Sequence, residues 1–128
     1  MADENRRERI LIVDDEAQNI TVLNEILKSE YDLYAAKDGE KALEISRSIK
    51  TPDLILLDIM MPKIDGYQVL KALKADEATR NIPVVLVSGK DEIDDKMTGY
   101  ELGAVNYVTK PIDPDFIKEV VRTLLDRT

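Results

Sequence analysis

The chain has 128 residues, 44% of them apolar and 34% charged, with 18 Lys plus Arg against 26 Asp plus Glu and a formal net charge of −8. The length argues one domain, large enough to bury about two-thirds of its unfolded surface without staples. The acidic balance disfavours sequence-blind binding to nucleic acid, which needs many cationic phosphate contacts. Cysteine and histidine are both absent, which excludes disulfides, thiol catalysis, an imidazole base, a phosphohistidine on this chain and any Cys- or His-ligated metal. A metal here must be held by oxygen, as Mg²⁺ is.

Residues 1–8 read as a polar arm with no apolar stretch of the kind that opens a secretory signal. No apolar run is long enough to span a bilayer, so a cytoplasmic location is the default expectation. From residue 9 to 128 short apolar runs alternate with amphipathic stretches. Residues 10–13 (ILIV) are a continuous β-branched-rich run, expected as a strand buried on both faces. A helix over 17–29 follows, with Ile20, Leu23, Ile26 and Leu27 at helical spacing. Residues 32–36 (DLYAA) read as a second strand, and 39–50 as a helix carrying Ala42, Leu43, Ile45 and Ile49, ended by Pro52. Residues 53–57 (DLILL) are the third strand, followed by a Pro-containing loop over 58–65 and a helix over 66–75 with Tyr67, Leu70 and Leu73 on one side. The fourth strand is expected over 82–87, with Pro83 tolerated near its start. A thin stripe of Ile93, Met97 and Tyr100 predicts a weak helix over 91–102, weakened further by Gly99. The fifth strand is expected over 104–108. The last helix, over 113–127, has Asp113 as its cap, Pro114 at its first position and a buried stripe of Phe116, Ile117, Val120, Val121, Leu124 and Leu125.

Five strands alternating with five helices mean βα units with parallel strands and right-handed crossovers, hence an α/β three-layer sandwich. Such sheets bind ligands outside the carboxyl ends of their strands. The residues there are Asp14, Asp15 and Glu16 after the first strand, Asp58 after the third, Ser88 and Gly89 after the fourth, and Lys110 and Pro111 after the fifth. Singly, each has a bland explanation: helix caps for Asp14 and Asp15, a turn for Asp58, a structural hydroxyl for Ser88, a surface lysine for Lys110. Together they place carboxylates on one rim, where mutual repulsion calls for a compensating cation, and a set without His or Cys suits Mg²⁺.

The pieces ILIVDDE, LILLDIMMPKIDG, VVLVSG and GAVNYVTKP, in this order and spacing, resemble the receiver domain of two-component response regulators, from about Arg9 to the C-terminus. The resemblance implies a flavodoxin-like (βα)5 fold of strand order 2-1-3-4-5. It implies that Asp58 is the phosphoacceptor and that Asp14, Asp15 and Asp58, with the backbone carbonyl of Met60, hold Mg²⁺. Ser88 takes the place of the family's switch hydroxyl, Tyr107 that of its aromatic switch residue and Lys110 that of its lysine, with the Lys110–Pro111 bond cis. The phosphoryl donor would be a phosphohistidine on another chain, a sensor histidine kinase or a histidine phosphotransferase. The product is a transient acyl phosphate, so the chain would be a switch and not a turnover enzyme. Movement of Ser88 would vacate space that Tyr107 fills, reshaping the face made by the fourth helix, fifth strand and fifth helix for an output domain, a partner protein or a homodimer. No direct contact with nucleic acid or membrane is implied. The stretch GAVNYVTKPID further resembles receivers attached to cyclic-dinucleotide enzymes or sensor kinases.

Three other readings compete. An FMN carrier on the same fold wants a hydroxyl-rich phosphate loop where this chain has Asp14, Asp15 and Glu16. An aspartyl phosphatase places nucleophile and acid two residues apart, whereas Asp14 and Asp15 are adjacent; Gly89-Lys90 also lacks the upstream glycine of a P-loop. The remaining alternative is a phosphorylation-independent protein-interaction module, against which the intact acceptor, acid pair and lysine argue.

Overall fold

The computed structural model describes residues 7–89 and 93–125, the side chains of residues 93 and 94 excepted. The first six residues of the expected arm, the start of the helix expected from residue 91 and the end of the one expected to 127 lie outside them. Within the described residues, strands and helices alternate: β1 (Arg9–Val13), α1 (Ala17–Leu27), β2 (Asp32–Ala36), α2 (Gly39–Ser46), β3 (Leu54–Leu57), α3 (Gly66–Ala75), β4 (Val84–Ser88), α4 (Ile93–Glu101), β5 (Asn106–Thr109) and α5 (Pro114–Leu125). All strands are parallel, in the order β2-β1-β3-β4-β5, which is the flavodoxin-like sandwich expected. No helix among the described residues is long and apolar enough to cross a membrane.

Side-chain alternation splits the sheet between two cores. Leu11, Val13, Ile55, Leu57, Val84, Leu86 and Tyr107 face one side, against Ala42 of α2 and Val69, Leu70 and Leu73 of α3. Ile10, Ile12, Leu54, Leu56, Val85, Val87 and Val108 face the other, against Leu23 and Leu27 of α1 and Ile117, Val120 and Val121 of α5. The central strands are therefore apolar throughout because both faces are covered.

Several boundaries differ from the sequence reading, each for a local reason. α1 stops at Leu27, two residues short of the expected end. α2 stops at Ser46: the Ser46 hydroxyl bonds back to the Ala42 carbonyl, Ser48 Oγ to the Ile45 carbonyl and Thr51 Oγ1 to the Ser48 carbonyl, so side chains capture the groups a continuing helix would use. Ile49, expected on the buried stripe, is 98% exposed. β3 begins at Leu54; before it, Asp53 donates its N–H to the Arg9 carbonyl at 2.7 Å and accepts the Arg9 N–H on its carboxylate at 2.8 Å. β4 begins after Pro83, which has no N–H to give the ladder, and extends to Ser88; β5 starts two residues later than expected. Phe116 is half exposed, outside the stripe it was placed in.

α4 corrects the sequence reading most. Met97 and Tyr100 of its expected apolar stripe are about half exposed. The helix turns Gly99 inward instead: a Cβ there would lie 2.5 Å from Leu86 Cδ1 and 3.6 Å from the Tyr107 ring. The glycine read as a weakness is the point of contact.

Candidate functional site

The sheet itself positions the site. Asp14, Asp58 and Lys110 stand one residue beyond their strands, yet each continues the ladder: Asp14 N–H donates to the Ala36 carbonyl at 3.1 Å, Asp58 N–H to the Val13 carbonyl at 2.9 Å, and Lys110 N–H to the Ser88 carbonyl at 2.8 Å. Their side chains thus leave β1, β3 and β5 from one rim, with Ser88 of β4 lying between the last two. Asp14 and Asp58 are only 2% and 4% exposed. Lys110 Nζ lies 2.9 Å from Asp14 Oδ2 and 3.6 Å from Asp58 Oδ1. The other Asp14 oxygen accepts the Glu16 N–H at 2.9 Å, so Asp14 is held from both sides while Asp58 has its second oxygen away from the lysine contact. The rim brings together Asp14, Asp58, Lys110 and, at the buried end of β4, Ser88. The Lys110–Pro111 peptide is cis.

Among the described residues, Lys110 stands against Asp14, Asp15 and Asp58, which leaves the rim anionic. The Asp58 carboxyl is pushed up from its ordinary 3.8 to about 6, by burial first and by the charge of Asp14 next, with Asp15 adding to both; Lys110 and the Met60 backbone N–H pull the other way without cancelling them. Asp14, Asp15 and Glu16 offer carboxylate oxygens within 4.8 Å of one another, with Asp15 and Glu16 exposed. Oxygen donors alone, on a strongly anionic rim, fit a hard divalent cation. Glu16 joins this group although the sequence reading did not count it as a ligand; its place next to the acid pair was the available signal.

Two further residues escaped the sequence reading. Gly66 opens α3 so close to the end of β3 that a Cβ would overlap the Asp58 carbonyl oxygen and lie 2.7 Å from Ile59 Cα, and its N–H donates to the Ile59 carbonyl at 2.8 Å. Asp65 fixes that entry through a reciprocal capping box with Gln68. Among the described residues, a Cβ on Gly89, which follows Ser88, would meet nothing within 4 Å. Met60 is half exposed and, with Asp15, Ile59, Met61, Pro62, Asp65 and Tyr67, lines a cavity of about 460 Å³ in the loop that follows Asp58. Tyr107, expected to move inward on switching, is already buried at 6% exposure.

A probable cyclic di-GMP phosphodiesterase of Vibrio cholerae is 43% identical over 116 residues, which are 91% of this chain and 26% of that protein. The alkaline phosphatase synthesis transcriptional regulatory protein PhoP of Bacillus subtilis is 43% identical over 121 residues, 94% of this chain and 49% of PhoP. The chain therefore spans about a quarter and about half of these relatives. The solved structure of a putative response regulator from Chloroflexus aurantiacus superposes with a TM-score of 0.87 at 31% identity, covering 95% of this chain and 100% of that one. The family description that matches, the response regulator receiver domain, runs over residues 10–122. Every rim residue and every strand but the first residue of β1, Arg9, falls inside that match, and the chain belongs to the receiver domain family of two-component response regulators.

Proposed function

We propose that the chain is a phosphoacceptor switch in which Asp58 takes a phosphoryl group from a phosphohistidine on a sensor histidine kinase or histidine phosphotransferase. The observation that carries this reading is the geometry of Asp58: a buried carboxylate beside Asp14, with Lys110 Nζ 2.9 Å from Asp14 and 3.6 Å from Asp58. An Asp58 oxygen attacks phosphorus, the P–N bond breaks, and the imidazole leaves while an acyl phosphate forms. Lys110, already between the two carboxylates, compensates charge on the transferring oxygens. The Ser88 hydroxyl, at the end of β4, donates to a phosphoryl oxygen once the group is in place. Asp14 and Asp15, with Asp58, the Met60 carbonyl and Glu16 as further oxygens, would hold Mg²⁺. Bound there, the ion neutralises charge that builds on the phosphoryl group. Ser88 and Tyr107 then pass the change to α4, β5 and α5, the face offered to an output domain, a partner or a second copy. Relatives that are two to four times longer support an output domain as one such recipient.

Incubation with acetyl phosphate and Mg²⁺ followed by intact-mass measurement tests the assignment. One phosphoryl adduct is expected on the wild-type chain and none on Asp58→Asn, and chelation of the metal should abolish the adduct. An equal mass shift in Asp58→Asn would overturn it.

A further inference from the structure

Tyr67 is the second residue of α3. Its ring packs at the edge of the core that holds Leu57, Leu86 and Tyr107, and it lines the cavity formed by Ile59, Met60 and Met61 of the acceptor loop. Its hydroxyl crosses to α4 and donates to the backbone carbonyl of Asp95, in the first turn of that helix, at 3.1 Å. A helical carbonyl accepts the amide four residues on, here that of Gly99, and keeps a second lone pair. The bond therefore ties α4 to the first turn of α3, where that helix leaves the loop after Asp58, without competing with the hydrogen bonds of α4.

Among the described residues of α4 from Asp95 onward, Gly99 alone is buried, against Leu86 and the Tyr107 ring, while Met97 and Tyr100 are half exposed. The Tyr67 hydrogen bond is one of the interactions that fix the position of the helix. Lys96, the next residue after Asp95, places its ammonium 5.9 Å from the centre of the Tyr107 ring, a weak attraction that also favours the ring in its buried place. The tether, the position of α4 and the buried Tyr107 ring occur together.

We propose that Tyr67 is a positioning residue for the switch: its hydroxyl, bonded to the Asp95 carbonyl, holds α4 over the buried Tyr107 ring and stabilises the arrangement that phosphorylation of Asp58 selects. This rests on the phosphoacceptor reading above and names a part of its regulation. By linkage, whatever favours that arrangement tightens binding of a phosphoryl group or its mimic by the same factor.

Beryllofluoride with Mg²⁺, titrated into the full chain and followed by amide resonances, gives the readout. Tyr67→Phe keeps the ring and removes the hydroxyl. Half-saturation should require about two- to tenfold more beryllofluoride, the span of one neutral hydrogen bond. Amides of α4 in the unliganded variant should exchange faster, with those of β3 and α5 unchanged. Tyr67→Leu, which also lacks the hydroxyl, should weaken the mimic at least as much. Unchanged exchange in α4 would overturn the tether. Faster exchange with unchanged or tighter beryllofluoride binding would overturn its selectivity for the switched arrangement, and equal loosening of α1, α5 and α4 would reduce Tyr67 to a packing residue. If the wild-type chain itself fails to bind beryllofluoride, the phosphoacceptor reading fails, which is a different result from a wild type that binds and a variant that binds equally well.

Discussion

The fold holds the Asp58 carboxyl where its negative charge opposes stability. Its raised titration, to about 6 from 3.8, means that the folded chain binds the proton more tightly than the unfolded one. Its contribution therefore favours the fold fully below about pH 4 and is lost as pH rises through 6. In chelator-treated protein at pH 7.5, Asp58→Asn should stabilise the chain by about 1–3 kcal/mol, the upper figure being a two-unit shift converted directly. The gain should vanish toward pH 4, where the wild-type carboxyl is neutral as well. Urea titrations at the two pH values check both halves. Added Mg²⁺ should stabilise wild type and shrink the gap, by binding the folded state alone, and Asp15→Ala should blunt that response. The identities of Asp14, Asp58 and Lys110 were legible because strand-end positions are where α/β sheets carry ligands. That Asp14 is clasped by Lys110 on one oxygen and by a backbone N–H on the other was not, since it depends on side-chain directions that spacing does not encode.

At the scale of the element, α3 and α4 contain the residues whose meaning the sequence reading misjudged or missed. Periodicity registers apolar side chains, and a glycine contributes nothing to it. Gly66 and Gly99 act by lacking a side chain, so both were invisible to that signal. Gly66→Ala should cost about 3 kcal/mol or more, because the overlap is with backbone at the end of β3 and cannot be relieved by a rotamer change. The gain in helix propensity, about 1 kcal/mol, does not offset it. Thermal melts measure the loss, and slower phosphorylation by acetyl phosphate should accompany it as the Asp58 backbone is displaced. The end of α2 was misread for a related reason. The Ser46, Ser48 and Thr51 hydroxyls that close it read as ordinary polar spacers until their carbonyl partners are known.

At the scale of the whole molecule, the fold was legible almost entirely, because runs such as LILL and VVLV leave no face to solvent and demand a sheet covered on both sides. The burial of Tyr107, 6% exposed with its ring against Gly99, was not legible, because a strand tyrosine reads equally well as half buried. On the proposed function, phosphorylation of Asp58 shifts a population between arrangements of this packed ring. Beryllofluoride with Mg²⁺ should accordingly raise amide protection in α4 and β5 more than in α1 or α2, and Ser88→Ala should shrink that distant change while leaving Asp58 able to be phosphorylated. Protection confined to the surroundings of Asp14 and Asp58 would contradict this route.

Asp58, Asp14 and Lys110 are fixed by backbone bonds that continue the ladders of the strands, whereas the described contacts of α4 include a tyrosine hydroxyl bond and the approach of Gly99 to Leu86, and none of them is a ladder bond. On heating, these two parts should give way in sequence. Capacity to accept a phosphoryl group should persist up to the cooperative melting of the sheet, while transmission to the α4 surface fades at lower temperature. There should then be an interval in which the protein is charged but mute, and comparing adduct formation with α4 ordering across a temperature series would reveal it.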